Sequence, residues 1–321
     1  MTGAPYGRWS PWNAAADGVQ VDQLISIIHW FMLVLFVGWG IFFVYCLLRF
    51  RSRAGHQASY ALPAGKMSKY AEIGVAIFET VLLVGFSIPV WWRYKYDPPK
   101  PDRRQEVRAV GEQFAWNFHY PGPDGKFGRT DPHLITASNL LGVDFDNDPV
   151  AKDDVVSPTM HVRKELPVYV RISSKDVIHS FYIPAMRVKQ DAVPGMEVPV
   201  WFTPIRDSDE FRAAIAKDYP LNERFKEKML RTTMVSMQKY EKGGETIAES
   251  GQVISDEIVE KLKTAGTTTV RAAEQDPIQV VCAQLCGANH FKMKAPMSVD
   301  TEAQYEAWLK ELTTEPQLDL E

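Results

Sequence analysis

Two long apolar runs open the chain, and alternating patterns take over afterwards. Leu24 to Leu48 contains no Asp, Glu, Lys or Arg. At about 1.5 Å per residue, a helix over this run reaches roughly 37 Å, enough to cross a bilayer with some tilt. His29 and Trp30 near one end and Tyr45 near the other suit the two interfaces. The second run, Ile73 to Trp92, carries one charge, Glu79, and closes on Trp91 and Trp92. Between the runs stand Arg49, Arg51, Arg53, Lys66 and Lys69, and residues 49–69 hold no acid. Short basic loops stay on the cytoplasmic side. The pattern therefore predicts a helix hairpin over 21–96, with helices at 24–49 and 71–92 and both of its ends outside. Residues 1–20 read as an irregular arm without the features of a removable signal peptide.

From residue 97 the periodicity changes. A Pro-rich, charged linker is followed by Phe114, Trp116, Phe118 and Tyr120, which alternate as one face of a strand. Val168, Val170 and Ile172 alternate likewise, with Tyr169 and Arg171 facing the other way. Val198–Phe202 and Ile278–Cys282 read as further strands. Short strands between turn residues such as Pro121–Gly125 predict a small β-sandwich or Greek-key barrel over 97–206 and 275–312. Residues 207–274 are rich in both charges and read as a helical insertion, with a helix at Asp256–Ala265 stopped by Gly266. Thr301 and Gln304 form a capping box for a last helix, on which Trp308 and Leu312 face the domain. The tail, 313–321, is expected to be disordered.

Composition adds little to this but excludes some classes. A net charge of -4 gives no sign of nucleic-acid binding. Three cysteines are too few for a disulfide scaffold, and Cys46 lies inside an apolar run. No Cys-x-x-Cys-His occurs, so no haem c is expected on this chain.

The candidate chemistry is concentrated in Cys282-Ala283-Gln284-Leu285-Cys286-Gly287-Ala288-Asn289-His290-Phe291-Lys292-Met293. Two thiols, an imidazole and a thioether fall within twelve residues. Soft donors of this kind favour copper, whereas zinc takes Cys and His but not usually Met. A buried cysteine pair or a disulfide is the plainer alternative.

This motif carries a resemblance together with two other stretches. One runs from Asp176-Val177-Ile178-His179-Ser180-Phe181-Tyr182-Ile183-Pro184 on through Lys189 to Gly195, and the other is Gly111-Glu112-Gln113-Phe114-Ala115-Trp116-Asn117-Phe118. The chain resembles subunit II of haem–copper cytochrome c oxidases, the CuA-bearing subunit, over nearly all its length except the N-terminal arm and the 207–274 insertion. The resemblance implies a transmembrane hairpin followed by a cupredoxin-like Greek-key β-barrel. It implies a dinuclear copper centre held by His179, Cys282, the backbone carbonyl of Gln284, Cys286, His290 and Met293. Most relatives have Glu where Gln284 stands. That side chain helps hold magnesium or manganese at the subunit I boundary, so the resemblance leaves this second ion, magnesium or manganese, open.

The family's surface Trp for electron entry corresponds to Phe114. Phe114, Trp116 and Tyr120 are therefore all entry candidates, with barrel-filling the alternative for Trp116. Asp144, Asp146, Asp148, Asp153, Asp154 and Asp191 offer acidic surface for a basic donor, Asp191 foremost because it lies in a family motif. Glu72 matches the family's residue at a proton-channel mouth. Glu79, two turns deeper on the same face, is a relay or an interhelical hydrogen-bonding group. Implied partners are oxidase subunits I and III, cytochrome c or a similar separate donor, and the lipid bilayer. The implied location is the bacterial inner membrane, with the copper domain on the periplasmic side. A haem–copper nitric oxide reductase subunit and a membrane-tethered copper-binding protein share parts of this pattern.

Overall fold

The computed structural model describes residues 11–55, 57 and 65–314, and these divide into two units. Residues 19–98 form one; the residues before and after form the other. The expectations for residues 1–10, for much of the basic loop and for the tail beyond Thr314 lie outside the described residues.

In the first unit, α1 spans Gly18–Arg49 and α2 spans Met67–Leu82. A π-turn over Leu83–Ser87 joins α2 to α3, Ile88–Tyr96. Pro89 has no N–H to give the carbonyl four residues earlier, and the wider turn accommodates that break. Gly18–Arg49 and Met67–Tyr96 are each long and apolar enough to cross a membrane. Their large side chains are bare in the isolated chain, Phe36 at 77% and Val34 at 67% exposure. Phe31 and Phe78 pack across the pair with ring centroids 4.3 Å apart.

The second unit is built on two five-stranded sheets. Its early strands are β1 (Gln105–Glu112), β2 (Ala115–Tyr120), β3 (Val155–Ser157) and β4 (Met160–Arg163). Next come β5 (Val168–Ser174), β6 (His179–Ile183), β7 (Val188–Ala192) and β8 (Val198–Phe202). One sheet has the order β3-β2-β1-β5-β8. Strict alternation buries Val107 and Ala109 of β1, and Val168, Val170 and Ile172 of β5. Apolar β-branched side chains on one face of each strand let the sheets close over a common core.

The insertion follows β8 and is only partly helical, which corrects the sequence expectation. It holds α4 (Ser208–Ile215), β9 (Lys217–Pro220), α5 (Glu223–Arg231) and β10 (Met234–Ser236). It continues with β11 (Tyr240–Lys242), β12 (Glu245–Ala248), α6 (Asp256–Thr264) and β13 (Thr269–Glu274). Strands β10, β13 and β9 make a small sheet, and Phe225, Val259, Leu262 and Val270 give the insertion a core of its own. The charged strands β9 and β11 escaped the reading because they are mostly exposed and show no alternation.

The chain then completes the second large sheet with β14 (Gln279–Cys282) and β15 (Lys294–Asp300), in the order β4-β15-β14-β6-β7. The last helix, α7 (Glu302–Thr314), starts at the expected capping box: the Thr301 N–H donates to the Gln304 side chain at 2.9 Å. Trp308 stacks on His161 and meets Tyr120 edge-on. The result is a cupredoxin-like β-domain. Part of the N-terminal arm belongs to it: the Ala14 N–H donates to the Ala185 carbonyl at 2.8 Å, the Ile205 N–H donates to the Ala14 carbonyl at 2.9 Å, and both Ala14 and Ala15 are buried.

Candidate metal centre

Four segments of the β-domain converge on the Cys282–Met293 loop. Cys282 ends β14, and Met293 stands just before β15. The two are tied across the loop mouth by the Cys282 N–H donating to the Met293 carbonyl at 3.1 Å. The Ala283 N–H donates to the Ser180 carbonyl at 2.9 Å, fixing the loop to β6, whose first residue is His179. His290 opens a short 3-10 turn. Cys282, Cys286 and Met293 belong to the main apolar core, so the loop is seated on the barrel.

The donor atoms meet at one point. The two cysteine sulfurs are 3.9 Å apart and free, far from the roughly 2.05 Å of a disulfide. His179 Nδ1 lies 3.9 Å from Cys282 Sγ, and the Gln284 carbonyl oxygen 3.1 Å from the same sulfur. His290 Nδ1 lies 3.6 Å and Met293 Sδ 3.7 Å from Cys286 Sγ. The donor atoms of His179, Cys282 and Cys286 all lie within 4.8 Å of one another. Ions sit about 2.3 Å from a thiolate and about 2.0–2.1 Å from an imidazole, so donors up to about 4.4 Å apart can share one. The donor set fits copper chemically: soft thiolates and a thioether with imidazole, in a mostly buried pocket. The Gln284 side chain points out while its carbonyl turns in, so the loss of a carboxylate leaves the carbonyl donor in place.

Burial and the neighbouring Cys282 push the Cys286 thiol up to about 11. A cation is what makes the thiolate favourable here, so metal binding releases protons. The Asp176 carboxylate is held below its usual range: burial opposes this, but hydrogen bonds from His179 and from the Val177 and Gln113 N–H groups outweigh it. Asp176 accepts from His179 Nε2 at 2.8 Å. That bond fixes the imidazole tautomer and leaves Nδ1 as the free donor facing the sulfurs.

Sequence reasoning missed Gln113 and Gly111 as parts of this site. The Gln113 N–H donates to Asp176 at 2.7 Å, and its side-chain amide donates to the Cys286 carbonyl. One residue therefore grips both the imidazole's anchor and the thiol loop. Gly111 lies against the His179 ring, where a Cβ would come 3.0 Å from Cδ2. Gly287 has a φ of +142°, and a Cβ there would come 2.8 Å from the Gln113 amide nitrogen and 3.0 Å from the Phe114 ring. The Gly-Glu-Gln-Phe stretch marks the region in the sequence, but only the fold shows what it touches.

The electron-entry candidates separate by burial. Phe114 lies in the β1–β2 turn rather than in the strand, and is partly buried. Trp116 and Tyr120 are buried at 1% and 0% exposure, so neither can touch a docked protein. Trp116 instead packs edge-on to His179 and Phe181. Two acidic candidates are corrected likewise. Asp154 is buried against His119 at 2.6 Å, and Asp144 is buried while pairing with Arg129. Asp146 and Asp191 remain on the surface, and Asp191 accepts from Ser180 Oγ at 2.7 Å. In α2, Glu72 accepts from Ser68 Oγ at 3.0 Å, and Glu79 follows seven residues on. Beside the donor residues in sequence, Ile178, Leu285 and Phe291 are 47%, 78% and 76% exposed.

Bilayer-length helices, a cupredoxin-like domain and a soft-donor cluster are the features of a membrane-anchored protein whose β-domain can hold a metal. The comparisons narrow it. The family profile "Cytochrome C oxidase subunit II, periplasmic domain" matches residues 105–211. An alternative cytochrome c oxidase subunit 2 of Bradyrhizobium diazoefficiens is 28% identical over 311 residues, 95% of this chain and 86% of that protein. Cytochrome c oxidase subunit 2 of Cereibacter sphaeroides is 29% identical over 212 residues, 59% of this chain and 66% of that protein. Among solved structures, the periplasmic domain of subunit II of cytochrome oxidase (CoxB) of Bradyrhizobium japonicum matches with a TM-score of 0.33 and 20% identity, covering 67% of this chain and 95% of that one. By these matches the chain is a cytochrome c oxidase subunit II-like protein, and the relatives it resembles are subunits of oxidoreductases.

Proposed function

We propose that this chain is the electron-entry subunit of an aerobic respiratory haem–copper oxidase. A dinuclear CuA centre, when bound, supplies a one-electron carrier between cytochrome c and the haem of subunit I, where oxygen is reduced to water with proton pumping. The observation that carries this reading is the donor count. Two sulfurs 3.9 Å apart are flanked by two imidazoles, a thioether and a carbonyl, six donors where one tetrahedral ion uses four. Cys282 and Cys286 would take the shared, bridging positions.

The protein's own part is positional. The neighbouring strands β6 and β14 of one sheet hold His179 and the thiol loop at fixed separation, which limits geometric change between redox states. Asp176 keeps the proton on His179 Nε2, and the Gln113 amide holds the Cys286 carbonyl. The exposed Ile178, Leu285 and Phe291 offer an apolar contact for the donor, with Phe114 as electron entry and Asp191 among the acids that steer a basic partner. Glu72 admits protons toward subunit I, and Glu79 relays them or bonds between helices.

The arm bears on location. Residues 12–16 and the chain beyond residue 99 fold into one unit, and a folded unit lies on one side of a bilayer. The intervening segment therefore crosses an even number of times, which fits two helices and a domain on the outer, periplasmic side of a bacterial inner membrane, beside subunits I and III.

The test is spectroscopic and functional. Copper-loaded protein should show a seven-line hyperfine pattern in electron paramagnetic resonance, and Cys282→Ser or Cys286→Ser should abolish it. A four-line, mononuclear spectrum would sink the dinuclear reading. A purified complex that consumes nitric oxide but not oxygen with reduced cytochrome c would reassign the acceptor.

A further inference from the structure

A cavity of about 450 Å³ lies between the outer face of the β3-β2-β1-β5-β8 sheet and the long excursion between β2 and β3. Its volume falls within the range of small-molecule sites, roughly 300–1,000 Å³. Arg108 of β1 lines it, and this guanidinium is unusual in two ways. Among the described residues it makes no hydrogen bond or ion pair; its Nε is buried without a partner, and the guanidinium lies over the face of Phe127, 4.2 Å from the ring centroid. It also stands directly opposite Arg171 in the β1–β5 register. Like charges at such a pair repel. Arg171 is neutralised by Glu106 at 3.0 Å and Glu197 at 2.9 Å, whereas Arg108 is not. Burial disfavours the Arg108 charge and Arg171 adds to this, while the charges of Glu197, Asp154 and Glu106 only partly offset it.

We propose that this cavity binds a small organic monocarboxylate, with its carboxylate on Arg108 and its apolar body against Ile135 and Leu141. A planar carboxylate matches the guanidinium fork, satisfies the orphaned Nε and relieves the arginine pair. A monoanion fits better than a dianion because, of the arginines and lysine lining the cavity, Arg108 alone lacks an ion pair: Arg171 is paired with Glu106 and Glu197, and Lys175 with Glu112 at 2.7 Å. The apolar wall, completed by Val110 and Pro132, excludes a bare inorganic ion as the best occupant. The cavity also borders Ser174 and Lys175, the two residues before Asp176, so an occupant sits at the end of the segment that anchors His179.

Calorimetric titration of the purified full chain with hexanoate, hexanol and inorganic phosphate tests this. Hexanoate should bind and hexanol should not. Arg108→Gln should weaken hexanoate by roughly tenfold or more, the loss expected for a charge-assisted bond. Ile135→Asp, at a partly exposed wall position, should weaken it without threatening the fold. Equal binding of hexanoate and hexanol, or unchanged affinity in both variants, would overturn the proposal. Phosphate binding more tightly than hexanoate would overturn the monocarboxylate assignment.

Discussion

Replacing Asp176 with Asn tests whether the carboxylate behind His179 is needed for the metal centre. Three N–H donors converge on its two oxygens. Oδ1 accepts from His179 Nε2 at 2.8 Å and the Val177 N–H at 2.6 Å; Oδ2 accepts from the Gln113 N–H at 2.7 Å. An amide has one oxygen, so in either orientation at least one N–H faces another donor. In the better orientation the Gln113 N–H is stranded, and the bond to His179 loses its charge assistance. An unsatisfied donor costs about 1–3 kcal/mol when buried. Asp176 is 31% exposed, so the fold should lose near the lower end, about 1 kcal/mol. The larger effect falls on the metal, because loss of such a supporting bond costs about 10–100-fold in affinity, or about 1.4–2.8 kcal/mol. Competition between the protein and a copper chelator reads the affinity, and a thermal melt of the copper-free protein reads the fold. Copper affinity within twofold of the parent would refute the reasoning, since His179 would then need no anchor.

Gly111→Val should disturb the same imidazole by crowding, at about 1–3 kcal/mol for an overpacked site, and should shift the copper hyperfine pattern; an unchanged spectrum would show that the His179 ring has room. Leu262→Ala should cost about 2–5 kcal/mol within the insertion's separate core and leave the copper spectrum intact, as hydrogen exchange and electron paramagnetic resonance together would show. The Glu106 carboxyl is held below its ordinary value: burial raises it, but hydrogen bonds and charge from Arg104 and Arg171 prevail. Its stabilisation is therefore fully present above the unfolded value near 4.5 and fades as pH falls through the lower folded value. Glu106→Gln should flatten the acid limb of the stability curve, and an identical limb in both proteins would count against this assignment.

What could be read from the sequence followed from the range of each interaction. Cys282, Cys286, His290 and Met293 fall on one loop, so their spacing alone gathered four soft donors. His179 lies on another strand and was found only through the motif around it. Gln113 and Gly111 could not be read at all, because their roles depend on a turn that approaches the loop in space. The acidic candidates show the same limit. Asp144 and Asp154 look like Asp146 in the sequence, and only Arg129 and His119, placed beside them by the fold, mark them as interior. Trp116 and Tyr120 obeyed the alternation that predicted a strand, and that same alternation turned them inward, away from any donor. The insertion's strands β9 and β11 were hidden because solvent on both faces removes the contrast on which period-two reading depends.

The docked arm imposes an order on how the protein is made. Ala14 hydrogen-bonds to residues 185 and 205, so the segment that leaves the ribosome early completes a surface that is synthesised late. The arm must therefore meet strands that are synthesised only after both long helices. Until then the core beneath the Cys282–Met293 loop lacks Ala14 and Ala15. Docking of the arm is thus a late step in completing the domain. A tag or truncation that reaches Trp12–Ala16 should delay maturation of the whole domain, even though no donor residue lies within it.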